Sequence, residues 1–377
     1  MSGGGSDVAR ITPAQCNAQH APTVSGGGAE FVKGSSSPIL QLESEHFAKL
    51  EHPLAKRFSC ATYKSNAPSE DRFNIQSTAN GDVCAAIFDG HGGWQVAEFV
   101  RKTLIGNIEK ELRPTEQQHA SPSEVTLAIQ RAFGRTDREF MVQIAPAFHA
   151  GFGTVARCGS CALVALVREG TLHVANAGDS RAVLGRTDPS DDEKLLAVPL
   201  SKDQNAMAAF EQAKLKLEHP SEPEPFVCRT PNSCYVKNAL QPTRAFGDFP
   251  LKYAEFNGPA YVDGDRSAGH HFPEPFSPPY ITVVPEITSI PIKSDDKFVI
   301  LGSDGLWDFV SNGEAVDVVR AQVARGEYDS AARALVDRTL QNAAAKANLT
   351  YEELLKLPPG NDRRPLHDDT TVIVLFF

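Results

Sequence analysis

The stretch CALVALVREGTLHVANAGDSRAVLG, residues 161–185, decides the fold. Short runs of apolar and β-branched residues alternate in it with Glu169-Gly170 and Gly178-Asp179, dipeptides that favour tight turns. The stretch therefore predicts antiparallel strands joined by tight turns. Similar strand patterns recur at residues 83–88, 297–301 and 370–377.

Helical patterns lie between these strands. Apolar residues at three- and four-residue spacing predict one helix after Gly93, and a second stripe runs from Val125 to Ile144. Ser311 followed by Glu314 is a capping-box signature that predicts the start of another helix. Antiparallel strands with separate helices indicate a layered α+β domain rather than a doubly wound parallel sheet.

Composition limits the function classes. The 377 residues carry 37 Lys and Arg against 47 Asp and Glu, a net charge of −10, which disfavours nucleic acid as a partner. No apolar run approaches the length needed to cross a bilayer, so we expect no membrane association. We expect a monomer. We expect it in the cytoplasm, because seven scattered cysteines do not resemble a disulfide framework and suggest a reducing compartment. Cys158 and Cys161 have the spacing of a redox or zinc site, but nothing completes such a site, and we interpret them as small strand residues.

The chain is expected to form one catalytic domain, residues 37–377, after a flexible extension, residues 1–36, that is rich in Gly, Ser and Ala. Two irregular regions interrupt the domain, at about 187–235 and 258–279. Loops of this length are often functional flaps, although the second could equally be a disordered insertion.

The acidic residues carry the main functional signal, because they follow or precede strands. Asp89 ends the strand at 83–88, Asp304 follows the strand at 297–301, and Asp368 precedes the last strand. Glu70-Asp71 lie in a polar turn just before another strand. If these strand ends converge, their carboxylates form an oxygen-rich site that suits Mg²⁺ or Mn²⁺.

This arrangement predicts hydrolytic chemistry. Asp89 can bridge two ions, which lower the pKa of a shared water enough for it to attack. Glycine follows both Asp89 and Asp304, as Gly90 and Gly305, which lets the backbone turn sharply, and Gly90 can offer its carbonyl oxygen to a metal. His91 lies on the same turn, where it can act as general acid to the leaving alkoxide.

These residues resemble the metal-dependent serine/threonine protein phosphatases of type 2C. The matching strings occur in the family's order over roughly residues 55–377: SEDR (69–72), FDGHGG (88–93), AGDSRAVLG (177–185), TRAFGD (243–248), GSDGLWD (302–308) and HDDTTVIV (367–374). The resemblance implies a central sandwich of two antiparallel sheets flanked by α-helices, and phosphoproteins as substrates.

The resemblance also assigns ligands. It implies that Glu70, Asp89, Asp304 and Asp368 hold one divalent cation, while Asp89 and the Gly90 carbonyl hold the other. Asp71 would orient the waters around the ions. A weaker third cation would be held with help from Asp179 and Asp308. We interpret Asp248, in the TRAFGD string, as flap or structural support.

One position departs from the family pattern. Many members place an arginine four residues before the metal-binding glutamate to grip the substrate phosphate, and here that residue is Asn66. Lys64 or Arg72 could substitute, although both could equally be ordinary surface side chains. Strings such as PTRAFGDFPLKY (242–253) are most similar to the pyruvate dehydrogenase phosphatase subgroup, which also lacks this arginine and would allow a mitochondrial location. The first residues lack an Arg-rich leader, however.

Two other classes of function compete with this interpretation. A pseudophosphatase would keep the fold as a binding module, but every expected carboxylate and His91 are present. A small-molecule or nucleic-acid phosphoesterase would also use two metals, although the net acidity and the absence of a basic stripe disfavour polynucleotides. A comparison of a phosphopeptide with nucleotide and sugar phosphates would separate these functions.

Overall fold

The computed structural model describes residues 40–112, 121–231, 233–257 and 271–377. In this part of the chain the predicted α+β architecture is confirmed: two antiparallel sheets pack against each other and helices cover their outer faces. No helix among these residues is long and apolar enough to cross a membrane. The predicted extension at residues 1–36 lies outside the described residues, as does most of the loop expected at 258–279.

The first sheet contains both chain ends of the described domain. Its order is β1-β2-β16-β15-β9-β10, and every neighbouring pair is antiparallel. The strands are β1 (Ser44–Lys49), β2 (Arg57–Tyr63), β16 (Thr370–Phe376), β15 (Asp296–Gly302), β9 (Arg181–Asp188) and β10 (Asp191–Pro199).

The second sheet has the order β14-β8-β7-β4-β3. Its strands are β14 (Glu286–Pro291), β8 (Thr171–Ala177), β7 (Ala162–Arg168), β4 (Val83–Phe88) and β3 (Arg72–Ser77). Of the two turns predicted in residues 161–185, the one at Gly178-Asp179 leads from β8 to β9 in the first sheet, so it does not join paired strands. The one at Glu169-Gly170 closes a hairpin of β7 and β8, with Arg168 opposite Thr171. Glu169 and Gly170 both have positive φ, 45° and 81°, the conformation that a two-residue hairpin turn favours.

The core explains why the central strands are apolar without alternation. In β4, Val83, Ala85 and Ile87 pack between the two sheets. Cys84, Ala86 and Phe88 of the same strand pack on the opposite side, against the helices. Because both faces of such a strand are buried, its sequence is a continuous apolar run.

Helices cover each sheet. α1 (Gln95–Leu112) and α2 (Pro122–His149) share a core with the second sheet, and α5 (Asn312–Ala324) and α6 (Ala331–Lys346) share one with the first. The predicted capping by Ser311 is confirmed, since its side chain accepts a hydrogen bond from the Glu314 amide. The shorter helices are α3 (Ala209–Glu218), α4 (Asp304–Trp307) and α7 (Tyr351–Lys356).

The region at 187–235 is more ordered than its sequence indicates. It contains β10, α3 and a hairpin of β11 (Phe226–Thr230) and β12 (Ser233–Val236). A disulfide joins Cys228 to Cys234, a pairing that the sequence did not predict. The hairpin register places the two residues opposite each other, which their spacing alone does not reveal. Cys158 and Cys161 are free, buried thiols.

A third, small sheet lies beside the acidic strand ends. Its order is β13 (Phe246–Gly247), β6 (Gly159–Ser160) and β5 (Gly90–His91). Each strand has two residues, too short for the sequence pattern to predict. This sheet connects the turn that follows Asp89 to the TRAFGD segment.

Candidate active site

The acidic residues singled out from the sequence lie at neighbouring strand ends. Asp89 follows β4, and Glu70 and Asp71 precede β3, whose first residue pairs with the last of β4. Asp304 follows β15 and Asp368 precedes β16, and these two strands are antiparallel neighbours. The two sheets meet here, because the Asp304 amide lies 3.4 Å from Asp89 Oδ2.

Close approach of backbones explains the glycine at two of these ends. A Cβ on Gly90 would lie 2.5 Å from the Glu70 carbonyl oxygen, and one on Gly305 would lie 2.1 Å from the Asp369 carbonyl oxygen. Neither glycine has a positive φ, the backbone conformation for which a turn would require glycine. The glycines therefore let the strand ends pack tightly together, rather than providing the sharp turn suggested by the sequence.

The carboxylates strongly affect one another. Burial, followed by the charges of Asp304 and Asp71, raises the pKa of Asp89 well above its usual range. The pKa of Asp304 is raised as strongly, by burial and then by the charge of Asp179. The pKa of Asp71 is raised by burial and then by the charge of Asp369. Burial raises the pKa of Glu70 as well, and the nearby Arg364 opposes this. Positive charge placed among these groups would favour their ionised forms.

Divalent cations fit this chemistry. The cluster offers hard carboxylate oxygens, and the buried Asp71 Oδ2 has no hydrogen-bond partner. Among the described residues, no three His, Cys, Asp or Glu side chains are already arranged around one metal position. The fit therefore rests on the charge and the donor atoms of the cluster.

Asp179 and Asp308 extend the cluster on one side. Burial and then the charge of Asp179 raise the pKa of Asp308, which places these two carboxylates close enough to interact. The Asp179 carboxylate accepts hydrogen bonds from the Cys161 thiol, 3.3 Å from Oδ1, and from the side-chain amide of Asn205, 3.4 Å from Oδ2.

His91 lies beside the cluster and contacts an acidic residue outside it. Its Nε2 is 2.7 Å from Oδ2 of Asp248, and the imidazole is 23% exposed. Burial by itself lowers the pKa of His91, but the Asp248 carboxylate, followed by the charges of Asp179 and Glu70, more than offsets this, so the pKa lies above its ordinary value. Asp248 was assigned to flap support from the sequence, and its contact with His91 was not foreseen.

A second residue that sequence reasoning missed organises the site from below. Asp369 accepts hydrogen bonds from the backbone amides of Ser65, Asn66 and Glu70, at 2.6, 2.8 and 2.8 Å. The Asn66 side chain donates to Oδ1 of Asp368 at 3.0 Å and to Oδ2 of Asp369 at 3.1 Å. Asn66 therefore positions both carboxylates. The only sequence signal for the role of Asp369 was its position next to Asp368 in the HDD string.

The cationic side chains near the site have distinct surroundings. Arg72 is engaged by the carbonyls of Ser69 and Asp71 and by Glu98, so it supports the backbone around the cluster. Lys64 is exposed. Arg364, in the turn before Asp368, lies 3.7 Å from Glu70, and its side chain is 58% exposed.

Comparison with known proteins supports the same conclusion from outside the structure. The family model described as protein phosphatase 2C matches residues 60–348. The chain is 37% identical over 330 residues to probable protein phosphatase 2C 48 of Arabidopsis thaliana, covering 86% of this chain and 81% of the relative. It is 34% identical over 333 residues to probable protein phosphatase 2C 72 of Oryza sativa subsp. japonica, covering 86% and 79%.

Among solved structures, the fold is similar to that of serine-threonine phosphatase 2C from Toxoplasma gondii, with a TM-score of 0.63 at 18% identity, covering 89% of this chain and 99% of that one. The extent of the family match and the identity to these relatives lead to one conclusion: the chain belongs to the protein phosphatase 2C family and is a protein serine/threonine phosphatase.

Proposed function

We propose that the chain removes phosphate from phosphoserine and phosphothreonine of proteins in a single displacement at the carboxylate cluster, with two divalent cations, Mg²⁺ or Mn²⁺, as cofactors. The observation that carries the proposal is the gathering of buried carboxylates from separate strand ends next to a histidine. Bound cations would offset the mutual repulsion of these carboxylates and favour their ionised forms.

Each carboxylate has an assigned role. Asp89 lies between the two sheets and would contact both cations, Gly90 would offer its carbonyl, and Asp304 and Asp368 would complete the binding from the first sheet. Glu70 is held next to Gly90 by the close approach of their backbones. Asp71 would orient bound waters, and Asp179 with Asp308 would hold a weaker third cation. The cations, when bound, lower the pKa of water and withdraw charge from the phosphoryl group.

His91 supplies the proton for the leaving group. The water oxygen bonds to phosphorus, the bond from phosphorus to the serine or threonine oxygen breaks, and the proton on His91 passes to that oxygen. The raised pKa of His91 favours the protonated imidazole that this step requires. No covalent intermediate with the protein is needed.

Arg364 is our candidate for contacting the substrate phosphate. Asn66 occupies the family's arginine position but is buried and hydrogen-bonded to Asp368 and Asp369, and Arg72 is engaged by Glu98 and backbone carbonyls. Arg364 is exposed at the edge of the cluster, and a guanidinium can bind two phosphate oxygens at once.

A substrate panel together with metal titration tests the proposal. We expect the protein with Mn²⁺ to hydrolyse a phosphothreonine peptide much faster than a nucleotide or a sugar phosphate. Calorimetric titration with Mn²⁺ should show two tight sites, lost in Asp89→Asn and retained in Asp308→Asn. Equal rates on all substrates would favour a general phosphoesterase, and binding of Mn²⁺ without turnover of any substrate would favour a scaffolding protein.

A further inference from the structure

The small third sheet brings a carboxylate to the proposed general acid. In it, β6 pairs with β5 on one side and with β13 on the other, so that Gly159 lies opposite both His91 and Gly247. The residue after Gly247 is Asp248, whose Oδ2 lies 2.7 Å from His91 Nε2. Within the described part of the chain, the Asp248 carboxylate has no other hydrogen-bond or ion-pair partner.

The strand between the two residues is shaped around their contact. A Cβ built on Gly159 would lie 2.0 Å from Oδ2 of Asp248 and 2.2 Å from Nε2 of His91. Gly159 does not have a positive φ, so its backbone conformation does not require glycine. The absence of a side chain at this position therefore serves the contact between His91 and Asp248.

The segment that carries Asp248 is anchored from α2. Asp137 accepts hydrogen bonds from the Gly247 amide and from the Lys252 ammonium, both at 2.8 Å, and the side chains of Asp137 and Lys252 are almost completely buried. The Asp248 amide donates to the Cys158 carbonyl at 3.0 Å. These contacts fix the backbone on both sides of Asp248 without using its carboxylate.

Backbone conformation alone does not explain an aspartate here. Asp248 has φ 47° and ψ 41°, a left-handed conformation that glycine and asparagine also adopt readily. A carboxylate adds a permanent hydrogen-bond acceptor with a negative charge, and its partner is His91. The function of the carboxylate must therefore be sought in what it does to the imidazole.

We propose that Asp248 is the positioning residue for His91: by accepting the hydrogen bond from Nε2–H, it fixes the ring so that Nδ1 carries the proton given to the leaving oxygen. This inference rests on the proposed role of His91 as general acid. An ionised carboxylate only accepts hydrogen bonds, so Nε2 must be the donor. Nδ1 has no hydrogen-bond partner within the described residues and remains for the substrate. A carboxylate that orients a histidine from behind is a recurring solution in hydrolases.

Two variants separate positioning from folding. Asp248→Asn keeps the size of the side chain and suits the left-handed backbone, but it removes the charge and the obligate acceptor. Gly159→Ala leaves both His91 and Asp248 in the chain and places a methyl group between them. Each variant is compared with His91→Ala and with the unchanged protein, and thermal unfolding and Mn²⁺ affinity show whether fold and cluster remain intact.

The readout is dependence on the leaving group. para-Nitrophenolate leaves readily as an anion, whereas the alkoxide of threonine needs a proton, so loss of a positioned acid affects the peptide more. We expect Asp248→Asn and Gly159→Ala to lower kcat by about 100-fold for a phosphothreonine peptide but only by about 10-fold for para-nitrophenyl phosphate. KM should be nearly unchanged for both substrates. His91→Ala should show the same selectivity.

The outcomes distinguish this inference from the proposal beneath it. If His91→Ala lowers turnover of the peptide selectively but Asp248→Asn does not, Asp248 has no positioning role and the general acid stands. An equal loss on both substrates in Asp248→Asn, with weakened Mn²⁺ binding, would make Asp248 a purely structural residue. If His91→Ala shows no selectivity, the general acid itself is wrong.

Discussion

Asp369→Ala should be among the most destabilising single changes near the site. The carboxylate is 2% exposed and accepts three backbone amides, from Ser65, Asn66 and Glu70. A buried donor left without a partner costs roughly 1–3 kcal/mol, and three such donors would sum to well above 3 kcal/mol without relaxation. Removing the charge also relieves its repulsion of Asp71, which partly offsets the loss. We therefore expect a decrease of about 3–5 kcal/mol in the free energy of unfolding.

Urea denaturation in EDTA measures this change without a contribution from bound metal, with tryptophan fluorescence as the signal of unfolding. The matched control is Asp362→Ala, an exposed aspartate in the preceding turn, which should change the free energy of unfolding by less than about 0.5 kcal/mol. Asp369→Asn keeps one acceptor oxygen and should lie between the two. A loss below about 1 kcal/mol for Asp369→Ala would refute the view that this carboxylate holds the 65–70 segment in place.

Three further changes have defined outcomes. Arg364→Ala should raise KM for a phosphothreonine peptide about tenfold and leave kcat within about twofold in steady-state assays, if Arg364 contacts the phosphate. Lys252→Met leaves the buried Asp137 charge without its ion-pair partner and should lower the free energy of unfolding in urea by about 3–5 kcal/mol. Lys297→Met, at an exposed lysine, should change it little. Burial alone would raise the pKa of Glu98, but hydrogen bonds from Arg101 and Lys102 lower it to about 2. The stabilisation from Glu98 is thus present above the ordinary carboxyl pKa and lost as pH falls towards 2, and Glu98→Gln should remove this pH dependence of the urea midpoint.

Local patterns predicted much of the fold and singled out the carboxylates that the structure brings together. The strand at 83–88 and the hairpin within 161–185 were recognisable because apolar runs and turn dipeptides are local signals. Asp89 and Asp304 stood out because each follows such a strand and precedes a glycine. Where the signal lies within a few residues of the chain, sequence reasoning located it.

Contacts between distant segments could not be predicted. Asp248 meets His91 across 157 residues, and Asp369 reaches Ser65 across 304. The disulfide between Cys228 and Cys234 depends on a hairpin whose strands were interpreted as an irregular region. In each case the partner is decided by strand pairing, so no spacing in the sequence identifies it.

The reason for a glycine was also hidden. The sequence suggested that Gly90 and Gly305 allow sharp turns, but both are needed because another backbone passes within contact distance. Close approach between segments leaves no local pattern, since any turn or bend can carry a glycine. The structure therefore explains both glycines by close packing and not by the sharp turns that the sequence suggested.

The central claim is that the carboxylate cluster binds the cations on which hydrolysis depends. The most direct test is the rate of release of phosphate from a phosphothreonine peptide with Mn²⁺, with EDTA, and for Asp89→Asn and Asp304→Asn, each checked for folding by circular dichroism. We predict turnover that requires Mn²⁺ and is abolished by both substitutions. Equal turnover in EDTA, or full activity of either folded variant, would contradict the account.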